Sequence, residues 1–263
     1  GLFGFLASRF IASDQRARRI GGATLAAAGL AAAVGIAVGR WQAVPALVLA
    51  AATGAVIVAK SRRRGDPRVG ERRVLAAFGI VTYAVLAGVA TAFLYALPVW
   101  TTPTPTGPFS VGVVDLELTD VTRAEPFGSD ATARRRLMVR LWYPAVEGDG
   151  SPARPYRTRP EARAIGREFA ATLGLPPFVF GHLQLVGTHS RPGATPARSV
   201  ERFPVVLHSH GYLGSVDSNT ALMEHLASHG YLAFSVAHYY EAAAVIYPNG
   251  DVVPLAPSIR ARM

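Results

Sequence analysis

The sequence predicts a helical membrane region followed by an α/β domain. Three long apolar segments occupy residues 20–39, 43–59 and 74–100, and basic residues flank them. A strand–turn–helix–strand pattern occupies residues 205–236, near the other end of the chain. That pattern favours a βαβ unit with two parallel strands, which is the repeating unit of α/β sheets.

The first three segments have the length and composition of transmembrane helices. Residues 20–39 carry no charge, and at 1.5 Å per residue they would cover about 30 Å, the thickness of the hydrocarbon core of a bilayer. Residues 43–59 and 74–100 are also uncharged. The sequence therefore predicts about three transmembrane helices within residues 1–100. Two buried helices of a soluble protein are the alternative for the first pair.

The net charge of +10 is concentrated in the first part of the chain. Residues 1–73 hold 12 Arg and Lys against 3 Asp and Glu, whereas residues 74–263 hold 15 against 14. Basic residues cluster at 16–19 and 60–73, and positively charged loops stay cytoplasmic. We therefore expect a multi-pass protein of the cell membrane, with the α/β domain on the extracytoplasmic side. No nucleic-acid partner is predicted, because the basic residues flank apolar segments.

The chain contains no cysteine, which excludes disulfides, thiolate metal sites and a cysteine nucleophile. His208 and His210 alternate along a predicted strand, but no third metal ligand accompanies them. His225 and His229 lie four residues apart on a predicted helix, where a solvated helix face explains them. The sequence therefore predicts neither a metal nor a cofactor. Because the chain begins with glycine rather than methionine, we expect a processed or incomplete N-terminus.

The α/β domain is predicted to occupy residues 109–263. Before it, residues 101–108 alternate Pro and Thr, which favours an extended linker. Residues 109–118 and 136–143 have the alternation of strands and are expected to form an antiparallel pair. Residues 160–173 are predicted to form a surface helix.

Within this domain, residues 205–210 form an apolar segment that predicts a buried parallel strand. The chain must turn after it, and we expect Gly211 to supply the necessary freedom in φ. A helix is predicted from about Asp217, and a second parallel strand over residues 231–236. Ligands of such sheets lie beyond the carboxyl ends of the strands, so the turn at residues 210–214 is the expected site.

Three segments resemble, in their order and spacing, the platelet-activating-factor acetylhydrolase family of α/β-hydrolases. They are Gly-Pro-Phe-Ser-Val-Gly at 107–112, Arg-Leu-Trp-Tyr-Pro-Ala at 140–145, and the strand and turn at 203–211, followed by Leu-Ala-Ser-His-Gly-Tyr at 226–231. The resemblance extends roughly from Gly107 to the C-terminus. It implies that residues 109–263 form the N-terminal part of an α/β-hydrolase domain.

The resemblance also implies a carboxylic ester hydrolase that acts on ester-linked lipids or similar small acyl esters. In such enzymes a serine attacks the acyl carbonyl, a histidine takes its proton and an aspartate orients the histidine. A backbone N–H in the loop after an early strand stabilises the negative oxygen of the intermediate. By position, this oxyanion donor would be Tyr212, supported by His210, Gly211 and Leu213.

The sequence departs from the family in its nucleophile. The G-x-S-x-G motif that holds the catalytic serine of this fold is absent, so no catalytic residue is identified. We therefore expect a membrane-anchored serine ester hydrolase that is present here as a fragment without its triad and without turnover of its own. The alternative is a non-catalytic membrane protein with a degenerate, hydrolase-like binding ectodomain.

Overall fold

The computed structural model describes residues 95–125, 130, 132–198 and 202–260, together with residues 26, 29, 30, 34, 48, 85, 86, 88, 89 and 92. The chain divides into two compact units, Gly1–Pro98 and Val99–Met263. The strands and helices described below belong to the second unit. The predicted division into residues 1–100, 101–108 and 109–263 stays a prediction.

Five strands form one mixed sheet in the order β3-β1-β2-β5-β4. Their bounds are Ser110–Ala124 for β1, Arg134–Ala145 for β2, Arg191–Pro192 for β3, Val205–Ser209 for β4 and Leu232–Val236 for β5. β1 and β2 are antiparallel, as predicted. β4 and β5 are parallel, with Leu207 opposite Phe234, which confirms the predicted βαβ unit.

Helices and a hairpin complete the second unit. Helix α1 covers Arg159–Thr172, α2 covers Thr220–Ser228 and α3 covers Pro257–Arg260, while Val179–Leu185 form a 3₁₀ helix. The hairpin pairs β6, Ala244–Ile246, with β7, Val252–Pro254. Helix α1 begins at a capping box in which Thr158 and Glu161 satisfy each other's backbone N–H groups. Helix α2 begins later than the predicted Asp217, because tight turns occupy residues 215–220.

The predicted fold class was wrong in including a membrane region of about three transmembrane helices. In the portion of the chain that the structure describes, helices long and apolar enough to cross a bilayer are absent. Helix α1 has 14 residues, which cover about 21 Å, less than the hydrocarbon core of about 30 Å. Most of residues 20–39, 43–59 and 74–100 lies outside the described residues. The extracytoplasmic location of the α/β domain stays a prediction.

The core between α2 and the sheet holds the early strands together. It contains six buried residues: Val111, Val113, Trp142, Met223, Ala227 and Ala233. The Trp142 indole N–H donates to the Ser190 hydroxyl at 3.0 Å. Glu224 of α2 is fully buried and accepts a hydrogen bond of 2.7 Å from the Thr102 hydroxyl. The segment predicted as a linker therefore packs against α2 at this end.

The predicted buried position of β4 was wrong, although its parallel pairing was right. β4 lies at the edge of the described sheet, and its Val205 and Leu207 are 58% and 73% exposed. An apolar segment predicts that a strand forms, but it does not fix whether that strand lies at the centre or at the edge of a sheet.

A cluster of ion pairs lies between β1, β2 and the start of α1. Arg140, with 1% of its side chain exposed, donates to Asp115 at 2.6 Å and to Glu161 at 2.5 Å. Arg154 adds a bond of 2.9 Å to Glu161. Burial by itself raises the pKa of Glu161, but the charges of Arg140 and Arg154 outweigh it and lower the pKa to about 2.

We expect Arg140→Met to destabilise the fold strongly. The change removes the fully buried cation that Asp115 and Glu161 share and leaves them only Arg154, which costs about 3–5 kcal/mol. Arg136→Met is the matched control, because Arg136 lies on the same strand, is 26% exposed and pairs with the exposed Asp251 and with Glu117. Its loss should stay below about 1 kcal/mol. Urea unfolding at pH 7 measures both, and equal losses would contradict the buried role of Arg140.

Candidate functional site

Two loops lie side by side at the carboxyl ends of the parallel strands. The first comprises residues 210–219 and follows β4; the second comprises residues 237–243 and follows β5. The carboxyl edge of such a sheet is where α/β folds bind ligands. The first loop contains the predicted site residues His210, Gly211, Tyr212 and Leu213.

A tight turn over residues 211–214 shapes the first loop. The Gly214 N–H donates to the Gly211 carbonyl at 2.8 Å. A Cβ on Gly214 would lie 2.8 Å from that carbonyl oxygen, so this position requires glycine. A Cβ on Gly211 would meet nothing within 4 Å, and the positive φ of the turn, 60°, falls on Leu213. The prediction that Gly211 supplies the free φ was therefore wrong.

Backbone strain marks both loops. Leu213, with φ 60°, and Tyr240, with φ 65°, are the non-glycine residues of the described chain that have positive φ. Each such conformation costs on the order of 1 kcal/mol and persists only where its surroundings hold it. Two backbone–backbone hydrogen bonds join the loops, from Leu213 N–H to the Glu241 carbonyl at 3.3 Å and from Ala243 N–H to the Gly214 carbonyl at 3.2 Å.

The N–H of Tyr212 is a free donor on this turn. Its neighbour Leu213 donates to Glu241, and Gly214 donates to Gly211, but Tyr212 N–H has no acceptor among the described residues. The residue as a whole is 58% exposed. The N–H is therefore available to a negatively charged oxygen of a ligand.

His210 joins the two loops through its ring. Its Nδ1 lies 2.8 Å from the Gly211 carbonyl oxygen, and its Nε2 lies 3.0 Å from the backbone N–H of His238. A carbonyl only accepts and an N–H only donates, so this pattern requires the neutral tautomer with the proton on Nδ1. The His238 ring packs edge-on against the His210 ring, with centroids 4.7 Å apart.

The surroundings of His210 favour that neutral form. Burial is the main cause that lowers the pKa of His210 below its ordinary value of 6.5. The Gly211 carbonyl and the charge of Asp217 act in the opposite direction, while His238 and His208 lower the pKa further. The ring consequently keeps its acceptor nitrogen at neutral pH.

Asp217 anchors the far end of the first loop in the protein interior. Its side chain is 1% exposed and accepts hydrogen bonds from the Arg157 guanidinium and from the Ser215 hydroxyl. Burial by itself lowers the pKa of Arg157. The charge of Asp217 has the larger effect, so the pKa of Arg157 is raised above its ordinary value. No local sequence pattern predicts this pair, because 60 residues separate its members.

The structure also brings together side chains that are far apart in the sequence. Ser209 Oγ lies 2.5 Å from His238 Nε2, and Glu241 Oε2 lies 3.8 Å from His238 Nδ1. His208, considered as a metal ligand, instead contacts the Ser235 hydroxyl at 3.2 Å and the Asn219 amide at 2.7 Å. The strand register brings these pairs together, and the sequence alone does not fix that register.

A cavity of about 480 Å³ lies at the other end of the strands, near the amino ends of β4 and β5. Its lining includes Phe109, Ala145 and Arg198, near the first residue of β1 and the last of β2. Those positions face the amino ends of β4 and β5, whereas the strained loops and the free donor lie at the carboxyl ends. We therefore place the candidate site at the loops and not at this cavity.

Comparison with known proteins identifies the family to which these features correspond. Residues 96–254 match the family model of platelet-activating factor acetylhydrolase, isoform II. A platelet-activating factor acetylhydrolase from Cavia porcellus is 32% identical over 167 residues, which cover 60% of this chain and 33% of the relative. The chain thus spans about a third of the length of this curated relative.

A solved structure gives a similar result. A ferulic acid esterase from Streptomyces cinnamoneus is 36% identical to this chain and superposes with a TM-score of 0.51. The match covers 63% of this chain and 44% of that chain. Both relatives are named for the hydrolysis of esters, and the matched region of the family model contains the two loops of the candidate site.

The His210 link predicts a pH-dependent contribution to stability. The folded-state pKa of His210 is lowered, so the contribution is fully present above the unfolded value of 6.5 and is lost as the pH falls through the folded value. We expect His210→Gln to lower the free energy of unfolding by about 1–2 kcal/mol at pH 7.5, the worth of two hydrogen bonds. The difference from wild type should shrink at acid pH.

Urea unfolding between pH 4 and pH 8 measures this effect. The control is His225→Gln, which replaces an exposed histidine of α2 and should change the stability little at pH 7.5. A His210→Gln deficit that stays constant over the whole range would show that the neutral ring does not link the loops.

Proposed function

The chain belongs to the platelet-activating factor acetylhydrolase, isoform II, family. We propose that it is part of a serine ester hydrolase in which the backbone N–H of Tyr212 stabilises the oxyanion. The substrates are lipid acyl esters or other small acyl esters. Hydrolysis of a carboxylic ester is the chemistry that the names of the two relatives share. The G-x-S-x-G motif of the family fold is absent from residues 1–263, so the assignment concerns the oxyanion donor.

The free N–H of Tyr212 is the observation that carries this proposal. The Leu213 and Gly214 N–H groups are bonded within the protein, whereas the N–H groups of Gly211 and Tyr212 have no acceptor among the described residues. It lies on a strained turn that His210 joins to the second loop and that Asp217 anchors to Arg157. A donor held in this way is oriented before the substrate arrives.

That arrangement suits the chemistry of ester hydrolysis. When a serine oxygen attacks the ester carbonyl, the carbonyl oxygen gains a negative charge in the tetrahedral intermediate. A fixed N–H dipole pointing at that oxygen lowers the barrier and needs no reorganisation during the reaction. The neutral His210 ring contributes by binding the Gly211 carbonyl of the turn and the His238 N–H of the second loop.

We expect Tyr212→Pro to lower kcat by roughly 10²–10³, the usual effect of losing one oxyanion donor. Proline removes the N–H, whereas the matched control Tyr212→Phe keeps it and should retain most activity. The assay measures the hydrolysis of a short acyl ester by the full-length natural protein. Circular dichroism and thermal unfolding establish that the proline variant has folded.

Each outcome of this experiment is informative. A folded Tyr212→Pro protein with full kcat would refute the oxyanion role. Loss of activity in Tyr212→Phe as well would assign the effect to the side chain. A folded wild-type protein that hydrolyses no ester would favour the non-catalytic, ligand-binding alternative.

A further inference from the structure

Helix α1 carries three exposed arginines along one stripe. Arg159, Arg163 and Arg167 follow one another at intervals of four residues, so each is rotated by about 40° from the previous one around the helix axis. The three Cα atoms extend over about 12 Å of the helix. All three side chains are exposed, so together they form a continuous cationic stripe on the surface of the protein.

The arginines of the stripe differ from the other arginines near α1. Arg140, Arg154 and Arg157 are each bound to a carboxylate. In the part of the chain that the structure describes, the arginines of the stripe have neither an ion pair nor a side-chain hydrogen bond. Glu168 of the same helix is rotated by about 140° from Arg163, the middle of the stripe. The positive charge of the stripe is therefore not neutralised by these residues.

The stability of α1 does not explain the stripe. Arg159 is the first residue of the helix, where the positive end of the helix dipole opposes a cation. The last turn, where a cation would be favoured, has no basic residue. Like charges four residues apart also repel each other. Because the arginines oppose the helix that carries them, they point to a ligand that supplies negative charge.

An exposed apolar turn follows the stripe. Leu173 and Leu175 are 59% and 42% exposed. Backbone hydrogen bonds fix the turn, from Leu173 N–H to the Phe169 carbonyl at 3.1 Å and from Leu175 N–H to the Ala170 carbonyl at 2.8 Å. Two apolar side chains are thus held at the end of a cationic stripe. We call the five residues together the basic surface: Arg159, Arg163, Arg167, Leu173 and Leu175.

The basic surface belongs to the helix that borders the candidate site. The buried side of α1 packs through Ile165 against Ala243 and Ala244. Ala243 is the last residue of the second loop. A partner bound to α1 would therefore lie close to the two loops.

We propose that the basic surface binds membranes that contain anionic phospholipids. Arginine forms paired hydrogen bonds with phosphate oxygens and is attracted to an anionic leaflet. Apolar side chains beside such cations enter the boundary between headgroups and acyl chains, which gives the two leucines a favourable environment. A nucleic acid fits less well, because it would leave the leucines against a polar backbone. The contact is peripheral, requires no transmembrane helix and does not depend on the proposed ester hydrolysis.

A single fluorescent label tests this contact. The chain contains no cysteine, so Leu175→Cys provides one attachment point for a polarity-sensitive nitrobenzoxadiazole dye. The labelled full chain is mixed with vesicles of equal parts phosphatidylglycerol and phosphatidylcholine, or of phosphatidylcholine alone. We expect the emission to shift to shorter wavelength with the anionic vesicles only. Because the dye reports on its own position, binding through other parts of the chain does not produce this signal.

The matched control for the label is Leu222→Cys. Leu222 is an exposed leucine of α2, and its label should show no shift with either kind of vesicle. Circular dichroism checks that both labelled chains are folded.

Substitutions in the labelled chain test the role of the charges. Arg159→Gln, Arg163→Gln and Arg167→Gln together should weaken binding to the anionic vesicles roughly 10²-fold, because each arginine near the membrane surface contributes about fivefold. The control removes the same charge from three exposed arginines outside α1: Arg123→Gln, Arg134→Gln and Arg198→Gln. It should weaken binding by less than about fivefold, because charges beyond the Debye length act weakly.

An unshifted label at residue 175 with the anionic vesicles would overturn the proposal. An equal shift with phosphatidylcholine alone, or equal affinity in the triple variant of the stripe, would also overturn it. Tighter binding to duplex DNA than to the vesicles, lost in that variant, would assign the surface to nucleic acid instead. Tyr212→Pro should bind the vesicles like the parent chain, so failure of the oxyanion test and failure of this proposal are distinguishable.

Discussion

A network of buried ion pairs is the constraint on which the geometry of the α/β unit depends. Arg140 and Arg154 bind Asp115 of β1 and Glu161 of α1, and Arg157, which precedes α1, binds Asp217 of the first loop. The two groups are linked by charge, because Asp217 acts on Arg140 and Glu161 acts on Arg157. Charges removed from water are tolerated only when every partner is present. Each element that supplies one of these side chains is therefore confined to a narrow range of positions.

The first loop is attached at both ends, and the buried ion pairs provide one of the two attachments. Asp217 is bound to Arg157 at the far end, and His210 is bound to the second loop at the near end. The turn at residues 211–214 lies between these attachments. Its strained Leu213 persists because the attachments oppose relaxation of the backbone. We therefore expect a substitution of the buried Arg157 to alter the conformation of the turn, although Arg157 does not contact it.

Local patterns predicted much of the α/β unit, and long-range contacts determined the rest. The alternation in β1 and β2 and the apolar segments of β4 and β5 predicted strands with the correct pairing. The exposed edge position of β4 and the Ser209–His238 contact depend on strand order and register, which composition does not determine. The turn at residues 210–214 was predicted from its place after a strand, but the residue with positive φ was misassigned. The membrane helices were predicted from the length, hydropathy and flanking charges of three segments, and helices able to span a bilayer are absent from the described residues.

Because the proposed donor is a backbone N–H, its position depends on the residues around Tyr212 and not on the Tyr212 side chain. The N–H exists in every residue except proline, so the identity of residue 212 is nearly free for this role. Its direction depends on Gly214, where a Cβ would collide with the Gly211 carbonyl, and on His210, whose neutral ring holds the turn. It also depends on Asp217, whose buried pairing with Arg157 holds the far end of the first loop. The exposed Tyr212 side chain can therefore change while the backbone N–H stays in place.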